Sequence, residues 1–461
     1  MDQKFISALK QAVGPSKVLT GDEIREEYLS DATPMYLALL LRGERLPRPS
    51  AVVKVEHEED VVEVLNIALE YRVPVVPRGG GSGVVGGALP VEGGIMLDLR
   101  KLNSIIVDEE NFLVKVGAGV YGYELEERLN RMGYTLRHIP QSFYDSTVGG
   151  WIASSAVGHY STMYGGIEDI VISMKVAIPR IGLVEVGNLP RKAVGPDLRH
   201  LFIGSEGILG VVTSATLRIL PQPDETILLS YGFKSFEEGL EYIKNLLSRG
   251  VRPAVARLYD REDVALWFQD VAEIQDYNFL LLIFEGDKEV ANAHSMVAKR
   301  LLPDGVVPLG EKPVEYWLKT RFKRISDIIE YLKMGILFDT LDVAGLWSVL
   351  PQLYRELKRE LATVKGVIHV SAHASHFYIN GGCLYFTAGG MSDDIAGFYR
   401  TLWEVAGRVT RGLNATISHH HGVGILKKAQ ALEELGKSVR LLQLLKGALD
   451  PEGLLNPGKL L

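Results

Sequence analysis

The sequence contains one cysteine, Cys383, among 461 residues. No intrachain disulfide, iron–sulfur cluster or cysteine-rich zinc site can form. It also lacks a long block of one charge sign. Fifty Lys and Arg face 57 Asp and Glu, a net charge of −7, whereas a general nucleic-acid binder needs a basic surface. Long apolar runs are missing too. Met35–Leu41 is the most lipid-like stretch, far short of the ~18 apolar residues of a membrane-crossing helix. Met1–Gly14 carries Asp2, Lys4 and Lys10 around no apolar centre, so it does not read as a signal peptide. A cytoplasmic address is the expectation, and peripheral attachment to a membrane is compatible with it.

What is present fits a globular protein. Apolar residues make up 47% and charged residues 23% of the chain, enough for a sizeable core, and the length suits two or three domains. Residues 58–71 place apolar side chains on one helical face behind three acids, and a short apolar strand follows at 73–77. Ile95–Leu99 reads as a strand, Ile105–Val107 with Phe112–Val116 as a hairpin, and Tyr121–Met132 as a helix. The pattern resets near Pro221–Glu225. Strands at Leu228–Phe233 and Phe279–Phe284 then neighbour amphipathic helices at 236–249 and 288–301. Pro303–Pro313 reads as a loop, 354–364 as a helix, 366–373 and 383–388 as strands, and Leu432–Leu449 as one helix. The class is α+β.

Six glycines fall within residues 79–87. Gly81-Ser82-Gly83-Val84-Val85-Gly86 spells G-x-G-x-x-G after a strand. A dinucleotide fingerprint needs a helix directly after the loop, but Pro90, Gly93 and Gly94 come next and then a strand. That reading is rejected. The remaining readings are a nest of backbone N–H groups round an anion, with Arg78 adding charge, or a mobile surface loop. Ser146-Thr147-Val148-Gly149-Gly150 and Gly204–Gly210 (GSEGILG) are two more bare stretches. Together the three suggest a large cofactor with phosphates and a planar ring.

These residues resemble the FAD-dependent oxidoreductases with a vanillyl-alcohol-oxidase, or PCMH-type, FAD domain. The ordered set that carries the resemblance is Pro77–Gly87, Ser146–Ser154, Gly165–Asp169, Gly204–Thr213, His419–Gly424 and Asp450–Lys459. It implies an FAD domain of two α+β subdomains over 1–223 and an α+β cap domain with an antiparallel sheet over 224–425. Residues 426–461 would return to the FAD domain. By position, Pro77, Arg78, Gly79, Gly80, Gly81, Ser82 and Gly83 would cradle the pyrophosphate. Ser146, Thr147, Gly149 and Gly150 would line the same cofactor, and Gly207, Ile208 and Val212 its adenine–ribose side. Some relatives attach FAD to a histidine in the first loop; Ser82 stands at about that place, so noncovalent FAD is expected.

Two branches of the family compete. Dehydrogenases of D-lactate, glycolate and D-2-hydroxyglutarate often bind a divalent metal through two histidines and a glutamate. Here Tyr385 stands roughly where the second histidine would be and His420 where the glutamate would be, so no metal is expected. The local stretches 146–154, 166–169, 373–387 and 418–422 are similar to alkyldihydroxyacetonephosphate synthase, in which the tyrosine matching Tyr385 is catalytic.

Oxidising an alcohol on a flavin takes a base for the O–H proton, a hydride acceptor and a hold on the substrate's anion. Histidine suits the base. Of the consecutive His419, His420 and His421, His420 is the first choice and His421 the second. His369, Ser371 and His373 share one strand face, and Cys383, Tyr385 and Thr387 another, so pairing of the strands would bring His373 to Tyr385. Arg321 and Arg324, three apart on an expected helix after Trp317, are the candidates for the anion. The expected activity is an FAD-dependent dehydrogenase of a small D-2-hydroxy acid, D-lactate or glycolate. Its electrons would go to a quinone or an electron-transfer protein, since no motif suggests NAD. The alternative is an ether-lipid synthase that exchanges acyl for alkyl without net redox. The resemblance implies that a homodimer is possible, since members of the family are often dimers, but the sequence shows no specific interface.

Overall fold

The computed structural model describes residues 3–322 and 325–461. Three sheets organise it. A mixed four-stranded sheet is built from Val18–Leu19, Ala51–Lys54, Ile95–Asp98 and Val75–Arg78, in that order. A five-stranded antiparallel sheet covers residues 105–218. A seven-stranded antiparallel sheet begins at Glu225 and ends at Gly390. Helices pack on each, which makes the fold α+β, with a cap over two α+β units. No helix among the described residues is long and apolar enough to cross a membrane.

Local chemistry explains the elements that matter for the site. Glu58–Tyr71 is a helix with Glu58, Glu59 and Asp60 in its first turn, and it stops at Arg72, whose φ of 54° is left-handed. After Arg78 the glycine loop runs to the strand Ile95–Asp98 with no helix between, as the rejection of a dinucleotide fingerprint required. Ser235 caps Phe236–Ser248 by accepting the Glu238 N–H. The long hairpin of Val367–Tyr378 and Gly381–Gly390 lies deep in the seven-stranded sheet, between Val255–Tyr259 and Leu337–Leu346. One face of these four strands carries Leu258, Ala372, Ala374, Leu384, Phe386, Leu341 and Val343 into the largest hydrophobic cluster. Alternation leaves the other face for polar residues.

Three sequence expectations are corrected. Residues 303–313 are not all loop. Val307–Pro308 pairs with Gly232 and Tyr231 at the sheet edge, and a helix starts at Lys312. That helix ends at Thr320, so Arg321 follows it rather than riding on it. The single helix expected over 432–449 is two, Lys428–Leu435 and Val439–Leu449, broken at Gly436, whose φ is 52°.

Candidate functional site

The three glycine-rich stretches converge. Gly79–Gly83 leave the strand that ends at Arg78, Gly149 and Gly150 lie in the first turn of the helix Val148–Ser154, and Gly207 and Ile208 precede the strand Val211–Arg218. A Cβ on Gly79 would collide with Thr147 Oγ1, and one on Gly80 with the Asp145 carbonyl. Gly81 is left-handed, φ 73°. A Cβ on Gly207 would press on Pro77 Cγ at 3.1 Å. Only glycine permits this bare backbone, and the Thr147 hydroxyl beside it is buried without a partner. These residues fit a bound pyrophosphate. Two side chains are spent elsewhere. The Ser146 hydroxyl donates to Ser142 O (2.8 Å) and accepts from Trp151 Nε1 (2.7 Å), and Arg78 Nη2 donates to Glu27 O (2.6 Å). Arg78 Nη1 has no partner, and Val212 is a buried strand residue.

The histidine triplet docks on this loop. Ile425 N and Leu426 N donate to Val85 O, at 2.9 and 3.2 Å. Glu206 accepts from Val423 N (2.5 Å) and Gly424 N (2.7 Å). Asn456 Nδ2 donates to Gly87 O and Glu206 O, tying the C-terminal stretch to the same place.

Across the cap sheet, one row of cross-strand partners reads Tyr259, His373, Tyr385, Asp342. His373 and Tyr385 meet, as the pairing argument expected, but by stacking, with centroids 4.6 Å apart and planes 16° apart. The Tyr385 hydroxyl is instead hydrogen-bonded to His376 Nε2 and His420 Nε2, each at 2.9 Å. Alternation alone would send His376 to the far face. A bulge between Ser375 and Tyr378 and a left-handed φ of 53° at His376 return it. His376 Nδ1 bonds Ser161 Oγ at 2.7 Å. His373 Nδ1 is held by Asp263 Oδ2 at 2.9 Å, and Ser371 Oγ donates to Asp263 Oδ1.

Asp342, which sequence reasoning missed, fixes the triplet. Its Oδ2 accepts the backbone N–H groups of His419 (2.9 Å), His420 (2.8 Å) and His421 (2.9 Å). Its Oδ1 pairs with the fully buried Lys427 and lies 3.2 Å from His421 Nδ1. Burial by itself would raise this carboxyl; His421, Lys427 and the hydrogen bonds outweigh it and hold it well below the usual range. The available signal was two acids, Asp339 and Asp342, inside an apolar strand. With Asp342 saturated, no free carboxylate among the described residues faces Tyr385, and the cluster does not fit the two-histidine, one-carboxylate metal set of other branches.

Burial favours the neutral form of His376, His419 and His420. His376 and His420 are pushed well below their ordinary value by desolvation and by the neighbouring imidazoles, and His419 falls to about 4. Burial also pushes the Tyr385 phenol well up.

A cationic vault adjoins the row. Arg321 lies 5.0 Å from the Trp317 ring and 5.6 Å from Tyr160, its Nε buried without a partner. Arg257, also missed from sequence, shares the Trp317 ring at 5.7 Å and donates to Tyr259 Oη. Neither has a carboxylate partner among the described residues. After burial, these two guanidiniums are the main influences that drive His159, which stands beside Trp317, well below its ordinary value. Arg324 lies outside the described residues.

Comparison with known proteins agrees with this architecture. Residues 49–187 match the FAD binding domain family, and residues 222–460 match the C-terminal domain of the FAD linked oxidases. The chain is 30% identical to the FAD-linked oxidoreductase YgcU of Escherichia coli O157:H7, over 98% of this chain and 97% of that protein. It is 28% identical to alkyldihydroxyacetonephosphate synthase of Dictyostelium discoideum, over 95% and 79%. Against D-lactate dehydrogenase of Anaerostipes hadrus it is 27% identical, over 97% and 95%. A solved alkyldihydroxyacetonephosphate synthase superposes with a TM-score of 0.82 at 24% identity, over 99% of this chain and 85% of that one. p-Cresol methylhydroxylase shares the fold at 0.77 and 16%, over 99% and 96%. The glycine cradle, the cap sheet and these matches together place the chain in the family of FAD-linked oxidoreductases.

Proposed function

We propose that the protein is an FAD-dependent dehydrogenase that oxidises a small D-2-hydroxy acid, D-lactate or glycolate, to the 2-oxo acid. The observation that carries the reading is the Tyr385 hydroxyl, held at 2.9 Å by both His376 and His420, beside a vault with two unpaired guanidiniums. Bound FAD supplies the hydride acceptor. His420 Nε2, neutral because it is buried, takes the substrate's hydroxyl proton through Tyr385. Tyr385 orients that hydroxyl, and the stacked His373 and its Asp263 partner keep the phenol ring in place. Arg321 and Arg257 hold the carboxylate, the planar fork matching its two oxygens. Gly79–Gly83, Thr147, Gly149, Gly150, Gly207 and Ile208 hold the cofactor without a covalent bond. Electrons leave to a quinone or an electron-transfer protein.

A second reading, exchange of acyl for alkyl by an ether-lipid synthase, is favoured by one observation. The Dictyostelium synthase is as similar to the chain as the dehydrogenase is, which supports the resemblance that sets Tyr385 roughly where a metal-binding histidine would be.

An anaerobic visible spectrum of the purified holoprotein separates them. The dehydrogenase reading expects bleaching by D-lactate or glycolate and none by L-lactate. A spectrum unmoved by hydroxy acids, together with alkyl product from an acylated dihydroxyacetone phosphate and a fatty alcohol, would establish the second.

A further inference from the structure

We propose that protons pass between the reaction centre and solvent along a fixed chain of side chains, Tyr385, His420, His419 and Tyr378. The proposal rests on the placement of Tyr385 at the reacting hydroxyl in the reading above. Tyr385 Oη is 2.9 Å from His420 Nε2, His420 Nδ1 is 2.9 Å from His419 Nδ1, and His419 Nε2 is 2.9 Å from Tyr378 Oη. Each imidazole is bonded at both ring nitrogens along the line. Such a ring accepts a proton on one nitrogen and releases one from the other.

The surroundings select this route. The other branch from Tyr385 runs through His376 to Ser161, which is 4% exposed, and stops in the interior. A sideways exit to Asp342 is closed. That carboxylate already holds three N–H groups and Lys427, and its Oδ2 lies 3.8 Å from His420 Nδ1. Tyr378 instead lines a surface pocket of about 300 Å³ together with Asn380, Asn414 and Thr416. Glu168, from the Gly165–Asp169 stretch that the site otherwise leaves without a role, acts on the same phenol. Burial raises the Tyr378 phenol first and the Glu168 charge raises it further, while Glu168 Oε2 is buried without a partner.

The transfer balances. The substrate hydroxyl gives its proton to the Tyr385 oxygen as the phenol proton moves to His420 Nε2. The Nδ1 proton of His420 moves to His419 Nδ1, the Nε2 proton of His419 to the Tyr378 oxygen, and the Tyr378 phenol proton to water, directly or by way of Glu168. One proton enters, one leaves, and the chain keeps no charge. The hydride and its electron pair leave separately, to the cofactor.

Tyr378→Phe keeps the ring and cuts the last link. The test compares flavin bleaching with the bulk proton signal, read from a pH indicator in weakly buffered anaerobic stopped flow. With substrate, the two coincide in the wild type. In Tyr378→Phe bleaching stays within about threefold while proton release lags by about tenfold or more, and added imidazole shortens the lag. Photoreduction of the holoprotein with a sacrificial donor needs no substrate, and proton uptake lags in the same way. If hydroxy acids fail to bleach even the wild type, the substrate reading falls while the photoreduction arm still decides the relay. His419→Gln, which keeps hydrogen-bonding ends but cannot relay, serves as the second variant, with FAD content and melting temperature as folding checks. Coincident signals in both variants, or an equal fall of bleaching and proton rates, would overturn the proposal.

Discussion

Asp342 stands directly opposite Tyr385 in the register of two neighbouring strands, and its carboxylate holds the backbone of the histidine triplet against that tyrosine. The triplet, and with it the proposed base His420, is thus positioned by one buried group. Asp342→Asn keeps the size and removes the charge, leaving Lys427, fully buried, without its counter-ion. Breaking a buried pair costs about 3–5 kcal/mol. Urea unfolding is expected to show a loss of that order, with turnover down as the triplet shifts. Unchanged stability and turnover would mean that Asp342 organises nothing.

Tyr385→Phe and His420→Ala address the chemistry itself. General acid–base catalysis contributes about 10²–10⁴-fold, so each variant is expected to lower kcat by that factor with KM within about threefold. The double variant should be little worse than either single one, because both act on one proton. Full turnover in either variant would remove the assignment.

The sequence made some of this site legible and hid the rest for identifiable reasons. Residues 366–373 and 383–388 alternate cleanly, so the meeting of His373 with Tyr385 followed from strand pairing. The contact of His376 with Tyr385 does not follow from that rule, because the bulge after Ser375 is a backbone event with no sequence marker. Arg257 and Asp342 were overlooked because each is a charged residue in a largely apolar strand, and its meaning depends on which strands lie beside it. The Leu432–Leu449 stretch misled because its apolar spacing continues through Gly436 while the chain turns there.

In the proposed site, the hold on the substrate's carboxylate divides between Arg321 and Arg257. A hydrogen bond to a charged group is worth about 1.5–3 kcal/mol, so Arg321→Met and Arg257→Met should each lower kcat/KM for D-lactate by roughly 10- to 150-fold. Arg321→Lys keeps charge without the fork and should recover only part of the loss. Steady-state kinetics with D-lactate and with its uncharged methyl ester check this. If the ester loses as much as the acid, the arginines do not read the carboxylate.

Cofactor hold depends on bare backbone at Gly79 and Gly80. Their new Cβ atoms would strike Thr147 Oγ1 and the Asp145 carbonyl, and a carbonyl fixed in the main chain cannot yield as a side-chain tip does. Gly80→Ala is therefore expected to purify largely free of FAD, and Gly79→Ala to bind it more weakly. Gly412→Ala, with nothing within 4 Å of its Cβ, should keep full FAD content. Flavin absorbance per protein and FAD titration of the apoprotein give the comparison. Equal FAD content in all three would remove the cradle assignment.

The acid side of the pH profile follows from burial. A solvated histidine base would be half protonated near pH 6.5, and activity would fall as pH dropped through that value. Here desolvation, then the neighbouring imidazoles, push His420 well below it, and burial takes His419 to about 4. A depressed pKa means that the neutral, proton-accepting form persists to lower pH. kcat/KM for the hydroxy acid should therefore not fall as pH drops through 6.5, and its acid limb should lie well below that value. His421→Asn changes the imidazole nearest Asp342 and should move the acid limb without abolishing it, because His421 is among the charges that depress His420. An inflection near 6.5 in the wild type would show a base open to water and would refute the closed, dry arrangement of Tyr385, His376 and His420.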